Sequence, residues 1–205
     1  MEGNQRFVED RPLHSSQGVA RRTELVNGQH PTAVLFGCGD CRVAVEIIFD
    51  QGLGDMFVVR TAGHVIDSSV LGSIEYAVDV LNVPLIVVLG HDSCGAVGAT
   101  LDALDKRQVP SGFIRDIVER VTPSILMGRR DGLTTVDELE GRHVVETGTL
   151  LAERSQIIAE RIAEGRCAIV GVTYKLDDGR VQLQGHLGEI GTTDFHLRHG
   201  VRPTP

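Results

Sequence analysis

The sequence predicts an α/β fold built on a central, mostly parallel β-sheet flanked by helices. Three short apolar runs support this prediction, and they cover residues 32–36, 56–60 and 85–89. Each run is rich in β-branched residues and lies close to glycine or proline, as expected for a buried strand. Stretches of helical periodicity separate the runs, and this alternation is typical of a parallel sheet covered on both faces.

The remaining elements follow in chain order. Residues 1–27 are polar with a weak helical pattern, which predicts an N-terminal helical arm. Apolar residues three and four positions apart predict helices over 43–49, 68–81, 96–104, 113–127 and 137–164. A further strand is predicted over 168–172, and the turn signal at 177–180 leads into a strand at 181–183.

The length and composition limit the possible functions. The chain has 205 residues, enough for one domain predicted over 1–191, and residues 192–205 are predicted to be a flexible tail. The net charge of −8 argues against binding to nucleic acid or anionic membranes. No apolar run is long enough to cross a membrane, and the polar N-terminus does not resemble a signal peptide, so we expect a cytoplasmic location.

Two predicted strand ends carry the residues that suggest chemistry. The first strand leads into Cys38-Gly39-Asp40-Cys41-Arg42, and the strand at 85–89 leads into His91-Asp92-Ser93-Cys94. Ligands of open α/β sheets bind beyond the carboxyl ends of strands, so Cys38, His91 and Cys94 converge if the strands are neighbours. Two thiolates and an imidazole suit zinc, and three protein ligands leave a position for water.

The loop after the first strand, residues 38–42 and called the dyad loop below, adds a carboxylate and a guanidinium. Asp40 can approach a metal or accept a proton beside it, and Arg42 can hold that carboxylate by two hydrogen bonds. Cys41 supports a different interpretation, because Cys38 and Cys41 with His91 and Cys94 would make a closed Cys₃His structural site. The spacing alone does not decide between these two interpretations.

At these residues the sequence resembles the β-carbonic anhydrases, particularly the mycobacterial type. The family hallmark is Cys-x-Asp-Ser-Arg followed by His-x-x-Cys, and the likeness extends over roughly residues 3–190. The resemblance implies four parallel strands plus one antiparallel strand. It also implies reversible hydration of carbon dioxide to bicarbonate by zinc-bound hydroxide, with one zinc ion per chain held by Cys38, His91 and Cys94.

The resemblance also implies roles for other residues. Asp40 and Arg42 match the catalytic dyad. The matches to the substrate-binding residues are Gln29, Phe57, Ala62, Tyr76 and Gly95. The family forms dimers by exchange of the N-terminal helix, with part of the pocket supplied by the partner subunit, and tetramers are common in it. We expect His64 to be an ordinary surface histidine, with a proton shuttle as the alternative.

One position departs from the family pattern, because Cys41 stands where serine is usual. Three rival functions therefore remain open at this stage. They are a non-catalytic Cys₃His zinc or bicarbonate-binding module, a hydrolase of carbonyl sulfide or carbon disulfide, and a thiol redox protein that uses Cys38 and Cys41.

Overall fold

The computed structural model describes residues 1–191, and the predicted tail at 192–205 lies outside them. Five strands form one sheet: β1 (Ala33–Cys38), β2 (Met56–Thr61), β3 (Leu85–His91), β4 (Ala168–Tyr174) and β5 (Val181–Leu187). The order across the sheet is β2-β1-β3-β4-β5. The first four strands pair in parallel and β5 runs antiparallel to β4, so the fold class predicted above is confirmed.

Eight α-helices surround this sheet in the described part of the chain. They are α1 (Glu2–Val8), α2 (Val19–Glu24), α3 (Val45–Ile48), α4 (Ser68–Glu75), α5 (Gly95–Lys106), α6 (Ile114–Arg130), α7 (Val136–Arg154) and α8 (Gln156–Ala163). Within residues 1–191, no helix combines the length and the hydropathy that crossing a bilayer requires.

Alternating side chains bury both faces of the sheet. On one face Phe36 and Val88 pack with Ile74 and Val144, which come from the flanking helices α4 and α7. On the other face Leu35 joins a second apolar cluster with residues of α3. Because successive strand residues point to opposite faces, the continuous apolar runs of the sequence fill two separate layers.

Two predicted helices are interrupted. The helix predicted over 68–81 ends as an α-helix at Glu75, and residues Tyr76–Val80 form a π-helical turn. The stretch predicted over 137–164 divides at Ser155, whose hydroxyl accepts the Ile158 N–H and so caps α8. A serine favours such a boundary because its side chain satisfies an N–H that the helix leaves unpaired.

The N-terminal arm is attached to the domain at α1. The Asn4 amide donates to the carbonyl oxygens of Ile48 (3.2 Å) and Gly179 (2.8 Å), and its own oxygen accepts the Val181 N–H. Gly3 lies against α3 so closely that an added Cβ would be 1.8 Å from the Phe49 carbonyl oxygen. Helix α1 thus packs on its own chain, and its exchange between subunits stays a prediction.

Candidate metal centre

The three predicted metal ligands meet at the carboxyl edge of the sheet. Cys38 is the last residue of β1, His91 is the last residue of β3, and Cys94 precedes the first residue of α5. Strands β1 and β3 are neighbours in parallel register, which brings their ends together. The ligand atoms of the three residues lie within 4.8 Å of one another, and all three side chains are buried.

The His91 ring is oriented for metal binding. Its Nδ1 lies 2.9 Å from the carbonyl oxygen of Asp92, which can only accept, so Nδ1 carries the proton. The lone pair of Nε2 is therefore free, and this atom is buried without a hydrogen-bond partner. A buried polar atom without a partner is costly, and a metal ion at this point would satisfy it.

The two cysteine sulfurs of the cluster lie within 4.8 Å of each other. A hydrogen bond from the Cys94 thiol lowers the pKa of Cys38 to about 3. The pKa of Cys94 is raised, first because it donates to Cys38 and then because it is buried. The contact therefore favours the thiolate form of Cys38, and the thiolate is the form in which cysteine binds zinc.

Asp40 and Arg42 form a two-pronged ion pair beside this cluster. Arg42 Nε donates to Asp40 Oδ1 at 2.9 Å and Nη2 donates to Oδ2 at 2.6 Å, while the Arg42 backbone N–H also reaches Oδ1. These Arg42 hydrogen bonds hold the pKa of Asp40 well below its usual range. Asp40 Oδ2 lies 4.0 Å from His91 Nε2, so the carboxylate faces the atom that would bind the metal.

Arg60 supports the dyad loop from the neighbouring strand, a contribution that the sequence did not reveal. Its Nε donates to the Cys38 carbonyl oxygen at 2.8 Å, and its Nη2 donates to the Asp40 carbonyl oxygen at 2.5 Å. Arg60 belongs to β2 and its partners lie at and after the end of β1. A basic residue in an otherwise apolar strand was the signal that could have indicated this contact.

Cys41 does not join the ligand cluster. Among the residues that the structure describes, the group of potential metal ligands contains Cys38, His91 and Cys94, whereas Cys41 is exposed. All four cysteines are free thiols. The arrangement therefore favours an open site with three protein ligands over a closed Cys₃His site.

The predicted substrate residues do not form a single group within this chain. The rings of Phe57 and Tyr76 lie 6.4 Å apart at a tilt of 41°, and Tyr76 is 48% exposed. Ala62 and Gly95 are exposed. Gln29 lines an open cavity of about 500 Å³ with residues of α2 and the 52–54 turn, and none of the predicted ligand or dyad residues lines that cavity.

His64 is not a surface residue, and this prediction was wrong. The side chain is fully enclosed, its Nε2 donates to the Leu89 carbonyl oxygen at 2.8 Å, and its ring packs edge-on against Phe36. The cause is the preceding turn, where Gly63 and His64 both have positive φ angles (62° and 53°) and direct the imidazole inward.

Sequence reasoning also missed two buried polar residues of α7. Glu140 Oε1 accepts the His91 backbone N–H at 3.4 Å and lies 3.8 Å from His64 Nδ1. The His143 Nε2 lies 2.8 Å from the Gly63 carbonyl oxygen, and its Nδ1 lies 2.6 Å from the Ser124 hydroxyl. The available signal was their position beside Leu139 and Val144 on the apolar face of α7, where unpaired polar residues are uncommon.

Comparison with known proteins yields a consistent family assignment. A family model described as carbonic anhydrase matches residues 33–181. The chain is 70% identical over 190 residues to a carbonic anhydrase of Mycolicibacterium smegmatis, covering 93% of this chain and 92% of that protein.

Solved structures share the fold. The β-carbonic anhydrase CafA of Aspergillus fumigatus matches with a TM-score of 0.71 and 26% identity over 79% of each chain. A tetrameric β-carbonic anhydrase of Sordaria macrospora matches with a TM-score of 0.70 and 24% identity, covering 80% of this chain and 85% of that one. The latter likeness concerns the fold alone.

Proposed function

Because the chain belongs to the β-carbonic anhydrase family, we propose that it hydrates carbon dioxide reversibly to bicarbonate and a proton at a single zinc ion. The observation that carries this proposal is the convergence of Cys38, His91 and Cys94 beside the Asp40–Arg42 pair. Each of these residues comes from a loop or strand end at the same edge of the sheet.

The donor set fits zinc. Two cysteine sulfurs and the unpartnered Nε2 of His91 lie within 4.8 Å of one another, and the pKa of Cys38 is lowered by its hydrogen bond from Cys94. Soft thiolates and imidazole are the donors that zinc prefers, and three protein ligands leave one position open. When bound there, zinc would act as a Lewis acid that makes a nucleophile available from water near neutral pH.

Asp40 and Arg42 have distinct proposed roles. Asp40 Oδ2 lies 4.0 Å from His91 Nε2, so it can accept a hydrogen bond from a water molecule beside the metal position and would orient that water for attack on carbon dioxide. Arg42 holds both carboxylate oxygens and keeps Asp40 ionised, which also restrains it from becoming a ligand itself. Gly95 follows the last ligand, and its backbone N–H is the proposed donor to substrate.

The substrate pocket is proposed to need a second subunit. Phe57, Ala62 and Tyr76 would supply an apolar wall, which suits a small uncharged molecule such as carbon dioxide. Gln29 would reach substrate within a homodimer or tetramer, and the Sordaria macrospora relative is described as a tetramer. We also expect the enzyme to act in the cytoplasm.

Stopped-flow measurement of carbon dioxide hydration tests the proposal, on protein with verified zinc content and reductant present. We expect one zinc ion per chain and activity that rises between about pH 7 and about pH 8.5, the range above the pKa near 7 typical of catalytic zinc sites. The matched variants are Cys94→Ser, which should lose zinc and activity, and Cys167→Ser, whose buried thiol lies outside the cluster and should leave both intact.

Two outcomes would contradict the assignment. Full zinc content with no hydration at either pH would indicate a non-catalytic site. Hydrolysis of carbonyl sulfide or carbon disulfide in the absence of carbon dioxide hydration would indicate a different reaction on the same fold.

A further inference from the structure

The loop that joins two of the proposed ligands is held from outside by a charged cluster. Residues His91–Cys94 leave β3 and enter α5, and Asp137 and Lys175 contact this loop in addition to Glu140. Asp137 comes from the first turn of α7, and Lys175 follows the end of β4. We propose that Asp137, linked to Lys175, is a positioning residue that fixes His91 and Cys94 for metal binding; this inference rests on the proposed zinc centre.

The direct contact is made at Ser93. The Ser93 N–H donates to Asp137 Oδ1 at 3.1 Å, and Ser93 has a φ angle of 54°. A residue with a Cβ atom adopts this left-handed conformation only where its surroundings enforce it. The Asp137 hydrogen bond is such a restraint, and it acts on the residue immediately before the ligand Cys94.

Lys175 connects Asp137 to the other half of the loop. Its Nζ lies 3.0 Å from Asp137 Oδ2 and 3.8 Å from Asp92 Oδ2. Asp92 is fixed further by its N–H, which donates to the Tyr174 carbonyl oxygen, and by its Oδ1, which accepts the Leu176 N–H. Helix α7 and the end of β4 thus meet at this loop.

Asp92 transmits this restraint to the metal-facing atom of His91. The Asp92 carbonyl oxygen accepts the His91 Nδ1–H at 2.9 Å, which sets the direction of Nε2. Removing a group that hydrogen-bonds to a metal ligand typically lowers metal affinity by about 10-fold to 100-fold. The cluster therefore acts on both ligands of the loop, on His91 through Asp92 and on Cys94 through Ser93.

An alternative role for Asp137 is general stabilisation of α7, because acidic residues favour the first turn of any helix. Two substitutions separate this role from positioning. Asp137→Asn keeps an oxygen that can accept the Ser93 N–H but removes the charge, whereas Asp137→Ala removes both. The matched control is Asp116→Ala, which deletes an acidic residue from the first turn of α6.

The experiment measures zinc release to a chromogenic chelator from each zinc-loaded protein, together with the thermal midpoint of each metal-free protein. We expect release to be roughly 10-fold faster for Asp137→Ala and roughly threefold faster for Asp137→Asn, which keeps an acceptor for the Ser93 N–H but breaks the ion pair with Lys175. The Asp116→Ala control should release zinc at the parent rate. If Asp137→Ala does not fold, Lys175→Met decides, with release expected to be roughly threefold faster.

Parent-like release from Asp137→Ala would overturn the proposal, as would equal acceleration by Asp116→Ala. If Asp137→Ala does not fold, zinc release from Lys175→Met at the parent rate would overturn the proposal. Failure of the proposed function is a separate result, since it would show as a parent protein that holds no zinc or hydrates no carbon dioxide. A parent that holds zinc without activity still allows the release rates to be compared.

Discussion

Two aspartates close together in the sequence form ion pairs of different construction. Asp40 receives all of its side-chain hydrogen bonds from Arg42, two residues further on, and its side chain is 19% exposed. Asp50 has a fully enclosed side chain and receives donors from three residues of the N-terminal arm. These donors are Arg6 Nε at 2.5 Å and the backbone N–H groups of Leu13 and His14, both at 3.0 Å.

The difference separates a pair suited to chemistry from a pair suited to architecture. The Asp40–Arg42 pair can rearrange without moving any other element, because both partners lie in one loop. Asp50 joins segments more than thirty residues apart, so its loss releases part of the arm. Both carboxyl groups have lowered pKa values, which shows that a perturbed pKa does not by itself identify a catalytic residue.

The largest expected effect is the loss of activity in Asp40→Asn. Asparagine cannot carry the charge that faces His91 Nε2, so we expect the hydration kcat to fall by at least about 10²-fold. The unfolding free energy should change by less than about 0.5 kcal/mol, because the pair is local and partly exposed. Stopped-flow kinetics and chemical denaturation measure the two quantities.

The control for this variant is Asp102→Asn, which removes an exposed carboxylate from α5. It should leave both kcat and stability at parent values. An Asp40→Asn protein with parent kcat would show that the dyad is not part of the catalytic machinery.

A smaller effect is expected from Asp50→Asn, and it should appear in the arm. Amide hydrogen exchange at Leu13 and His14 should accelerate by roughly 10-fold, since a neutral amide is a weaker acceptor than a carboxylate. Asp55→Asn is the matched control, because Asp55 pairs with Arg21 of α2 instead. If amide exchange at Leu13 and His14 in Asp50→Asn equals that of the parent protein, the Asp50 carboxylate does not hold the N-terminal arm.

The effect of this substitution has a defined pH dependence, because the Asp50 carboxyl of the parent protein titrates. The Leu13 hydrogen bond, followed by Arg6, lowers the pKa of Asp50 to about 2, below the value of about 3.9 of an unfolded chain. The stabilisation is therefore complete above about pH 4 and is lost as the pH falls through about 2. The ratio of variant to parent exchange rates should approach one over this interval.

The smallest effect is expected from the substitution Cys41→Ser. Cys41 lies in the sequence between Asp40 and Arg42. Cys41 is exposed and outside the ligand cluster, so zinc content should remain at one ion per chain. The hydration rate should stay within roughly twofold of the parent, the range of a neutral surface change. Zinc analysis and stopped-flow kinetics check this. A loss of zinc in this variant would show that the thiol contributes to binding.

The sheet was predictable from the sequence because each strand carries its own signal. Runs such as 85–89 are apolar throughout, and only burial on both faces of a parallel sheet accommodates them. The break at Ser155 had only a weak local signal, because a serine that can cap a helix also occurs within helices, and a distant partner contributes to it. Its hydroxyl donates to Glu75 Oε1 at 2.6 Å, a contact between residues eighty positions apart.

The same distinction applies to the site. Cys38, Asp40, Arg42, His91 and Cys94 fall within two short motifs, so residue type and spacing predicted that the three ligands meet if their strands are neighbours. The roles of Asp40 and Arg42 followed from the family resemblance. Their supports were hidden, because Glu140 and Asp137 reach the His91 loop from α7, more than forty residues away. Side chains that act through backbone groups leave no pattern in the segment that they support.

The glycine at position 3 has a consequence for how the arm can change during evolution. Any side chain there would place its Cβ 1.8 Å from the Phe49 carbonyl oxygen, a clash that forces the helix or Phe49 to move, so we expect no substitution to weaken the docking of α1 by a small amount. A mutation at this position therefore displaces helix α1, and only glycine keeps it docked as observed. Gradual tuning of the attachment must instead come from its neighbours, such as Asn4 and Arg6.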